Sequence, residues 1–562
     1  MHGKRKRDVR PLTEEERKKT EEQGDKIIGL INEFLSIRHG KKLVNNPGEY
    51  CDLVATMCPD LPTIYNYKRE VLIKQFKESK SPKDKYKTLM NELQLVTALL
   101  KKSPKSYSLW SYRQWLVLQC RELERLYNKL KAAKEAELKK LIEQQQQDGQ
   151  LIQKEDLQKQ QEPEEPIPQV VELELKLCNK MLDMDERNFH CWNYRNWLIN
   201  DVEMNSLTYI EREITYTQQK YENNFSNFSA LHFRSKNLIK KYDQDLESLY
   251  KSVSTSPEEE QKNIKSRIRE LIQYKVPLQN IKDELELIKN AIFIQPNEQG
   301  VWLYHKWLVS LLAPFRFISV NSTDKENTSL QITCSSKIIS NNLASTILLY
   351  DQSGSHINNL TIEEVRNQVG QIFNIKADKQ IQKVTVSQPQ NIQMHVIDYQ
   401  ISKRNLIASE FVLDESRQKY KLEKLNEQDY QFSEVAYQIL QEEQQFVDEI
   451  IENEKQSKFA HFHKLYLIQV QQGLDLVFKT DQHHLSLEST SNILKAIQSL
   501  NMIAKKQTNY LKNLENQYQS LLTLQQTLEK QTSGQQVEKF SIPSSPTYEV
   551  DLFLPYHSLL QQ

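Results

Sequence analysis

Glycine is scarce in this chain, 11 among 562 residues. A loop that cradles phosphate with backbone amides needs glycines for its tight turn and close approach, and no such loop occurs. There is also no His-Glu-x-x-His pair and no serine-nucleophile motif. Net charge is absent too: 75 basic residues balance 75 acidic ones, so nothing draws the chain in bulk to nucleic acid or anionic lipid. No stretch reaches the roughly 18 apolar residues of a membrane-spanning helix. Met1-His2-Gly3-Lys4-Arg5-Lys6-Arg7 lacks the apolar segment of a secretory signal; Lys4–Arg7 reads as a solvated basic tail or a nuclear signal. The six cysteines, Cys51, Cys58, Cys120, Cys178, Cys191 and Cys334, form no Cys-x-x-Cys pair, which fits free thiols in a reducing compartment. Cys51 and Cys58 share a helical face and read as core rather than metal ligands. The chain is expected to be soluble and cytoplasmic.

Tryptophan is rare as well, and its distribution is the strongest signal. All six tryptophans lie in three stretches: Trp110-Ser111-Tyr112-Arg113-Gln114-Trp115-Leu116, Trp192-Asn193-Tyr194-Arg195-Asn196-Trp197-Leu198 and Trp302-Leu303-Tyr304-His305-Lys306-Trp307-Leu308. Read as helices, these put the first tryptophan and the cation three residues later on one side. Two weaker copies follow the same pattern, with Tyr65 and Lys68 in one, Leu231 and Arg234 in the other. Proline stands six residues before Tyr65, Trp110 and Trp302, and Glu186 fills that slot before Trp192. Proline cannot continue a helix but fits the start of the next.

Amphipathic segments precede several copies, such as Leu173–Cys178 and Leu285–Phe293. The unit is therefore helix, tight turn, helix. Two of the four spacings, 45 and 39 residues, fit one helix pair per repeat. The spacings of 82 and 71 hold inserts near 132–168, polar and glutamine-rich, and near 241–270. Both read as solvated excursions. Stacked hairpins bury each other's apolar faces in a solenoid.

Few glycines with many Leu, Lys, Glu and Gln suit a mostly helical protein. The expected architecture is a solenoid of α-α hairpins over residues 1–316. Short β-branched runs (Leu330–Cys334, Ser345–Tyr350, Lys383–Ser387) predict a small β-rich insert over 317–402. A helical region follows over 403–535, with a degenerate sixth hairpin whose Phe459 and Phe462 fall near the Trp and Arg slots. Residues 536–562 read as a tail. His461/His463 and His483/His484 lack a third ligand at a sensible spacing and read as surface histidines. The first tryptophans and their neighbours Trp115, Trp197 and Trp307 read as core. Arg113, Arg195 and Arg234 need acidic partners on a neighbouring helix if buried.

The motif, a proline or acidic residue, five residues, then Trp-x-x-Arg-x-Trp-Leu, resembles the repeat of protein prenyltransferase α subunits. Ser103–Tyr107, Asp185–Trp192 and Asn224–Phe228 carry the likeness. Met1-His2-Gly3 and a β-rich insert after the fifth repeat resemble the type II branch. That resemblance implies a crescent around a β subunit that holds a catalytic zinc and the isoprenoid. It implies transfer of geranylgeranyl from its diphosphate, at the subunit interface, to C-terminal cysteines of Rab GTPases presented by an escort protein. It also implies that Lys105 of Pro104-Lys105-Ser106-Tyr107 faces the leaving diphosphate and that Tyr107 donates a hydrogen bond there. The alternative for Lys105 is a solvated turn lysine. His2 is a candidate ligand to the β-subunit zinc, or part of a disordered tail. Departures from the pattern are Leu231 for Trp, His305 for Arg, and Phe189 where relatives sometimes carry Tyr. No leucine-rich repeat series is present. The competing readings are the α subunit shared by farnesyltransferase and the type I enzyme, and a helical-repeat scaffold without enzymatic partner.

Overall fold

Thr13 starts the first helix. Its hydroxyl accepts from the Glu16 amide (3.3 Å) while the Glu16 carboxylate accepts from the Thr13 amide (2.9 Å), so two otherwise unpaired donors are satisfied. A computed structural model describes residues 13–44, 47–78, 81–147, 169–202, 206–313, most of the strands between 317 and 420, 427–478, 487–504 and parts of 511–526. The chain divides into two compact units, Met1–Tyr209 and Ile210–Gln562.

In the first unit, α1 (Glu14–Arg38) precedes three hairpins: α2 (Pro47–Met57) with α3 (Pro62–Glu78), α4 (Pro82–Lys102) with α5 (Tyr107–Gln147), and α6 (Val170–Met184) with α7 (Phe189–Trp197). A π-helical turn, Leu198–Val202, continues α7. The second unit holds α8 (Leu207–Asn223) with α9 (Phe228–Ser252), then α10 (Glu258–Tyr274), then α11 (Leu278–Ile294) with α12 (Gln299–Leu311). After the strands come α13 (Glu427–Asn453), α14 (Lys458–Phe478) and α15 (Leu487–Ile503). No helix among the described residues is long and apolar enough to cross a membrane.

Where the lead residue carries a side-chain donor, one carbonyl organises the turn. The indole of Trp110 donates to Pro104 O (2.9 Å), that of Trp192 to Glu186 O (2.8 Å) and that of Trp302 to Pro296 O (2.8 Å). In the first copy the Tyr65 hydroxyl does the same to Pro59 O (2.9 Å). In three of these turns the next hairpin uses the same carbonyl. Ser106 Oγ donates to Pro59 O (3.1 Å), Asn188 Nδ2 to Pro104 O (3.2 Å) and Ser457 Oγ to Pro296 O (2.8 Å). A carbonyl has two lone pairs, so one atom closes its own turn and registers its neighbour. The residue six before the lead is therefore chosen for its backbone, which is why Glu186 can replace proline there.

A second contact sets the pairing of hairpins through shared glutamates. The Arg113 guanidinium forks onto Glu174 (2.6 and 2.7 Å), and the Tyr194 hydroxyl donates to the same carboxylate (2.6 Å). Arg234 forks onto Glu284 (2.7 and 2.6 Å), which also accepts from Tyr304 (2.7 Å). Lys68 pairs with Glu92 (2.8 Å), which accepts from Tyr112 (3.1 Å). In each case the tyrosine comes from the glutamate's own hairpin and the cation from the hairpin before. Arg113 also reaches back to Thr97 Oγ1 (2.9 Å) and Leu93 O (3.0 Å), and Arg195 to Asn179 Oδ1 (2.7 Å) and Leu175 O (3.4 Å). Burial and the Glu174 charge push the Tyr194 hydroxyl far above its usual range, so it remains a donor. Two bonds onto one ionised acceptor are charge-assisted and stronger than neutral ones. Arg113 and Glu174 each expose 3% of their side chains, so either left alone would be a buried, unpaired charge.

The sixth hairpin repeats this plan with different residues than its sequence suggests. His461, not Phe459, occupies the tryptophan slot and contacts Lys455 O (3.2 Å). Lys464, not Phe462, occupies the arginine slot and pairs with Asp448 (2.5 Å). The two phenylalanines are buried beside these slots, because a strong apolar signal two residues away hid the true register. His461 and His463 are buried rather than on the surface. The His463 ring nitrogens lie 2.9 Å from Phe459 O and 2.7 Å from Trp302 O. His483 and His484 lie outside the described residues.

The other tryptophan expectations separate by position. Trp110, Trp192 and Trp302 expose 5%, 1% and 0%. Trp115, Trp197 and Trp307 are only half-buried and pack against Tyr112, Tyr194 and Tyr304 at 6.1, 5.4 and 5.2 Å. Cys51 is buried, and burial raises its thiol to about 12, while Cys58 is half-buried.

Residues 241–270 are not a solvated excursion. They finish α9 and form most of α10, whose Ile264, Ile268, Leu271 and Tyr274 are buried. Arg269 and Gln273 of α10 hold the fully buried Asp429 of α13. The charged surface of this segment masked an i, i+4, i+7 apolar stripe. Residues 132–147 continue α5, and 148–168 lie outside the described residues.

The β-rich segment is larger than its prediction and runs past residue 402. Its described strands are β1 (Phe317–Ser322), β2 (Ser329–Cys334), β3 (Ile347–Tyr350), β4 (Leu360–Val365), β5 (Gln371–Ala377), β6 (Lys383–Val386), β7 (Ile392–Val396), β8 (Gln400–Arg404), β9 (Ser409–Asp414) and β10 (Lys419–Tyr420). Eight form an antiparallel sheet in the order β3-β6-β9-β10-β1-β2-β5-β4, and β7 pairs with β8. The boundary moves because β9 and β10 lie beyond residue 402, where one short apolar run and a two-residue polar strand give little strand signal of their own.

Glu174→Ala would leave Arg113 buried without its partner. The expected cost is about 3–5 kcal/mol, read by chemical denaturation of the first unit's hairpins. Tyr194→Phe, which removes one hydrogen bond, is expected to cost about 1 kcal/mol. Equal losses for the two would contradict the shared-carboxylate arrangement.

Candidate functional site

Lys105 lies in the turn between α4 and α5, and that turn is tightly held. Ser103 N donates to Leu99 O (2.8 Å) and Ser106 N to Ser103 O (3.2 Å). Ser106 Oγ accepts from Leu109 N (3.3 Å) and caps α5. The backbone of Lys105 is thus fixed while its side chain is 43% exposed. Its ammonium lies 3.9 Å from Asp185 Oδ2, in the turn between α6 and α7.

Tyr107 opens α5 and is 70% exposed. Its ring meets His190 edge-on at 4.3 Å, and Phe189 lies 6.3 Å away. Phe189 is itself 49% exposed and rests on His190 at 3.9 Å. Asn188 caps α7 through Oδ1, accepting from His190 N and Cys191 N, so that both rings leave the helix at its first turn. Burial lowers the pKa of His190, the Lys105 charge lowers it further, and Asp60 partly offsets them. Asp60 belongs to the turn between α2 and α3, where its carbonyl accepts from Ser108 Oγ (3.3 Å).

Three turns of the first unit therefore meet along one edge and bring together an ammonium, a carboxylate, an exposed phenol and a neutral imidazole. An ammonium on a four-carbon stem is a compact charge suited to a polyanion such as a phosphate group. The phenol is an exposed donor. The predicted pair Lys105 and Tyr107 is united here. The motif residues Trp110, Arg113, Trp115, Trp192, Arg195 and Trp197 build the hairpins behind this edge; Arg234, Trp302 and Trp307 belong to hairpins of the second unit. His2 lies outside the described residues. Among the described residues no three His, Cys, Asp or Glu side chains are grouped to hold a metal ion.

Sequence reasoning missed Glu92, Glu174, Glu284 and Glu443. A signal existed: each lies 20 residues before a tyrosine or, for Glu443, a histidine. It also missed Asp185 as a partner of Lys105, and for that no local signal exists.

The repeat described as "Protein prenyltransferase alpha subunit repeat" matches residues 89–120, 171–201 and 281–312. These are the three hairpin segments that carry tryptophan. Each of these segments is similar to that alpha-subunit repeat. Among its curated relatives is the geranylgeranyl transferase type-2 subunit alpha of Mus musculus, 28% identical over 52% of this chain and 38% of that protein. The proteins of the same name from Candida albicans and Schizosaccharomyces pombe are also 28% identical, over 45% and 43% of this chain and 57% and 63% of their own lengths. The chain thus spans less than two thirds of the length of these relatives. A solved Candida albicans protein geranylgeranyltransferase-I complexed with GGPP covers 51% of this chain at 16% identity, with a TM-score of 0.25, a superposition too poor to bear on the site.

The alpha-repeat edge makes one direct electrostatic prediction. Lys105→Ala is expected to raise the His190 titration towards the ordinary histidine range, because the lysine charge is one of the causes holding it down. Histidine-selective NMR titration reads this. An unmoved midpoint would show that Lys105 does not act on the cluster.

Proposed function

We propose that this chain is the alpha subunit of a type II geranylgeranyltransferase. In this reading it pairs with a beta subunit that holds zinc and the isoprenoid. The pair transfers geranylgeranyl from its diphosphate to C-terminal cysteines of Rab GTPases presented by an escort protein. The observation that carries the reading is the alpha-subunit repeat with Lys105 and Tyr107 exposed together on a turn edge. The relatives' shared name supports it. Residues 1–316 and the α13/α14 hairpin are then the repeat-bearing part, with the strand-rich segment as an insertion.

Within that reaction the chain supplies charge and positioning rather than a nucleophile. Lys105 stabilises the negative charge that grows on the departing diphosphate, an effect worth most at the point of bond cleavage. Tyr107 donates its hydroxyl hydrogen to the same group. Phe189 has no hydroxyl to add a further bond. Zinc, when bound by the partner, lowers the pKa of the acceptor cysteine thiol. His2 is a candidate ligand that would reach that zinc from outside.

Co-expression with the same organism's candidate type II beta subunit tests the proposal. Transfer to a Rab protein is expected from the pair with escort protein, and from neither subunit alone. Transfer to isolated CaaX peptides without escort protein would instead assign the chain to the farnesyl/type I class, and failure to pair would leave a scaffold. Lys105→Ala is expected to leave assembly intact and slow single-turnover transfer about 10²- to 10³-fold, the usual cost of one oxyanion-stabilising donor. An unchanged rate would remove Lys105 from that role.

A further inference from the structure

Asp185 is tied into its own turn and faces Lys105. Its amide donates to Met181 O (3.0 Å), and its carbonyl accepts from Asn188 N (3.1 Å). Its Oδ1 accepts from Arg187 N (3.2 Å). One carboxylate oxygen is thus tied to its own turn and the other, Oδ2, is left towards Lys105 at 3.9 Å. The ammonium sits at the end of a flexible stem. The carboxylate is the fixed member of the pair and the ammonium the movable one.

An ion pair at this separation and exposure is weak, because water screens it. It biases where the ammonium points and is weak enough to be exchanged. An anion bound to the Lys105 ammonium would also lie close to the Asp185 carboxylate, and like charges at such a distance repel appreciably even when partly screened.

We propose that Asp185 is a positioning residue for Lys105 that also weakens the site's grip on diphosphate. It holds the ammonium at the edge when no anion is bound. It yields the ammonium to the incoming diphosphate, and its charge then opposes retention of the pyrophosphate released by transfer. No covalent step passes through Asp185. The inference rests on the proposed transferase reading and assigns a role to a residue outside the Pro-Lys-x-Tyr segment.

The test uses the assembled pair with its Rab and escort protein, and inorganic pyrophosphate as the probe. Asp185→Asn keeps the Arg187 amide acceptor and removes the charge. It is expected to tighten pyrophosphate inhibition by about three- to tenfold, the scale of one screened charge at this distance. The effect should shrink as salt rises through the range where the Debye length falls below about 10 Å. Asp185→Glu, which keeps the charge, is expected to restore weak inhibition. A merely structural role would alter thermal stability or assembly without moving pyrophosphate affinity. Unchanged inhibition in Asp185→Asn, with wild-type transfer normal, overturns the inference and leaves the transferase reading standing. Absence of transfer by the wild-type pair overturns both.

Discussion

The buried glutamate shared between two hairpins is the contact on which the rest depends. Glu174 takes the Arg113 fork from the hairpin before and the Tyr194 hydroxyl from its own. A lone buried carboxylate would be costly, and so would a lone buried guanidinium. Within each unit, hairpins joined this way complete one another's electrostatics, and neither surface is tolerable in isolation. Hydrophobic burial alone would let stacked helices slide, since apolar attraction is non-directional. The forked ion pair and the doubly used turn carbonyl give the stack its register.

The same device survives substitution between the fifth and sixth hairpins. His305 takes the arginine slot and contacts Glu443 at 2.9 Å, with Lys289 on the other oxygen at 3.1 Å. Burial alone would raise the Glu443 pKa, but His305 and Lys289 outweigh it and hold the carboxylate below its usual range. The geometry of the slot is retained while the side chain that fills it changes. That is why a sixth hairpin lacking both Trp and Arg still belongs to the series.

Holding the hairpins in register is also what makes the turn edge a site. Lys105 and Tyr107 come from one hairpin, Asp185, Phe189 and His190 from the next. Asn188 links the two turns directly through Pro104 O. The residues that face outward are few, and the buried residues behind them have structural roles. This division explains why the first unit's tryptophans, Trp110, Trp115, Trp192 and Trp197, lie behind the edge rather than on it.

Much of this was legible in the residues themselves. The Trp-x-x-Arg period, the proline six before it and the scarcity of glycine specify helical hairpins, because those signals act within one or two turns of chain. Lys105 and Tyr107 could be placed on a turn for the same reason. The partners could not be named. Arg113 meets Glu174 across 61 residues, Arg234 meets Glu284 across 50 and His305 meets Glu443 across 138. Asp185 reaches Lys105 only because two turns align. Local propensity carries no information over such distances, and a charged residue facing solvent reads the same as one facing its partner. The sequence by itself determined what each hairpin is made of. Only the tertiary structure decided which carboxylate each buried cation answers to, since that choice is made by stacking and not by neighbours along the chain.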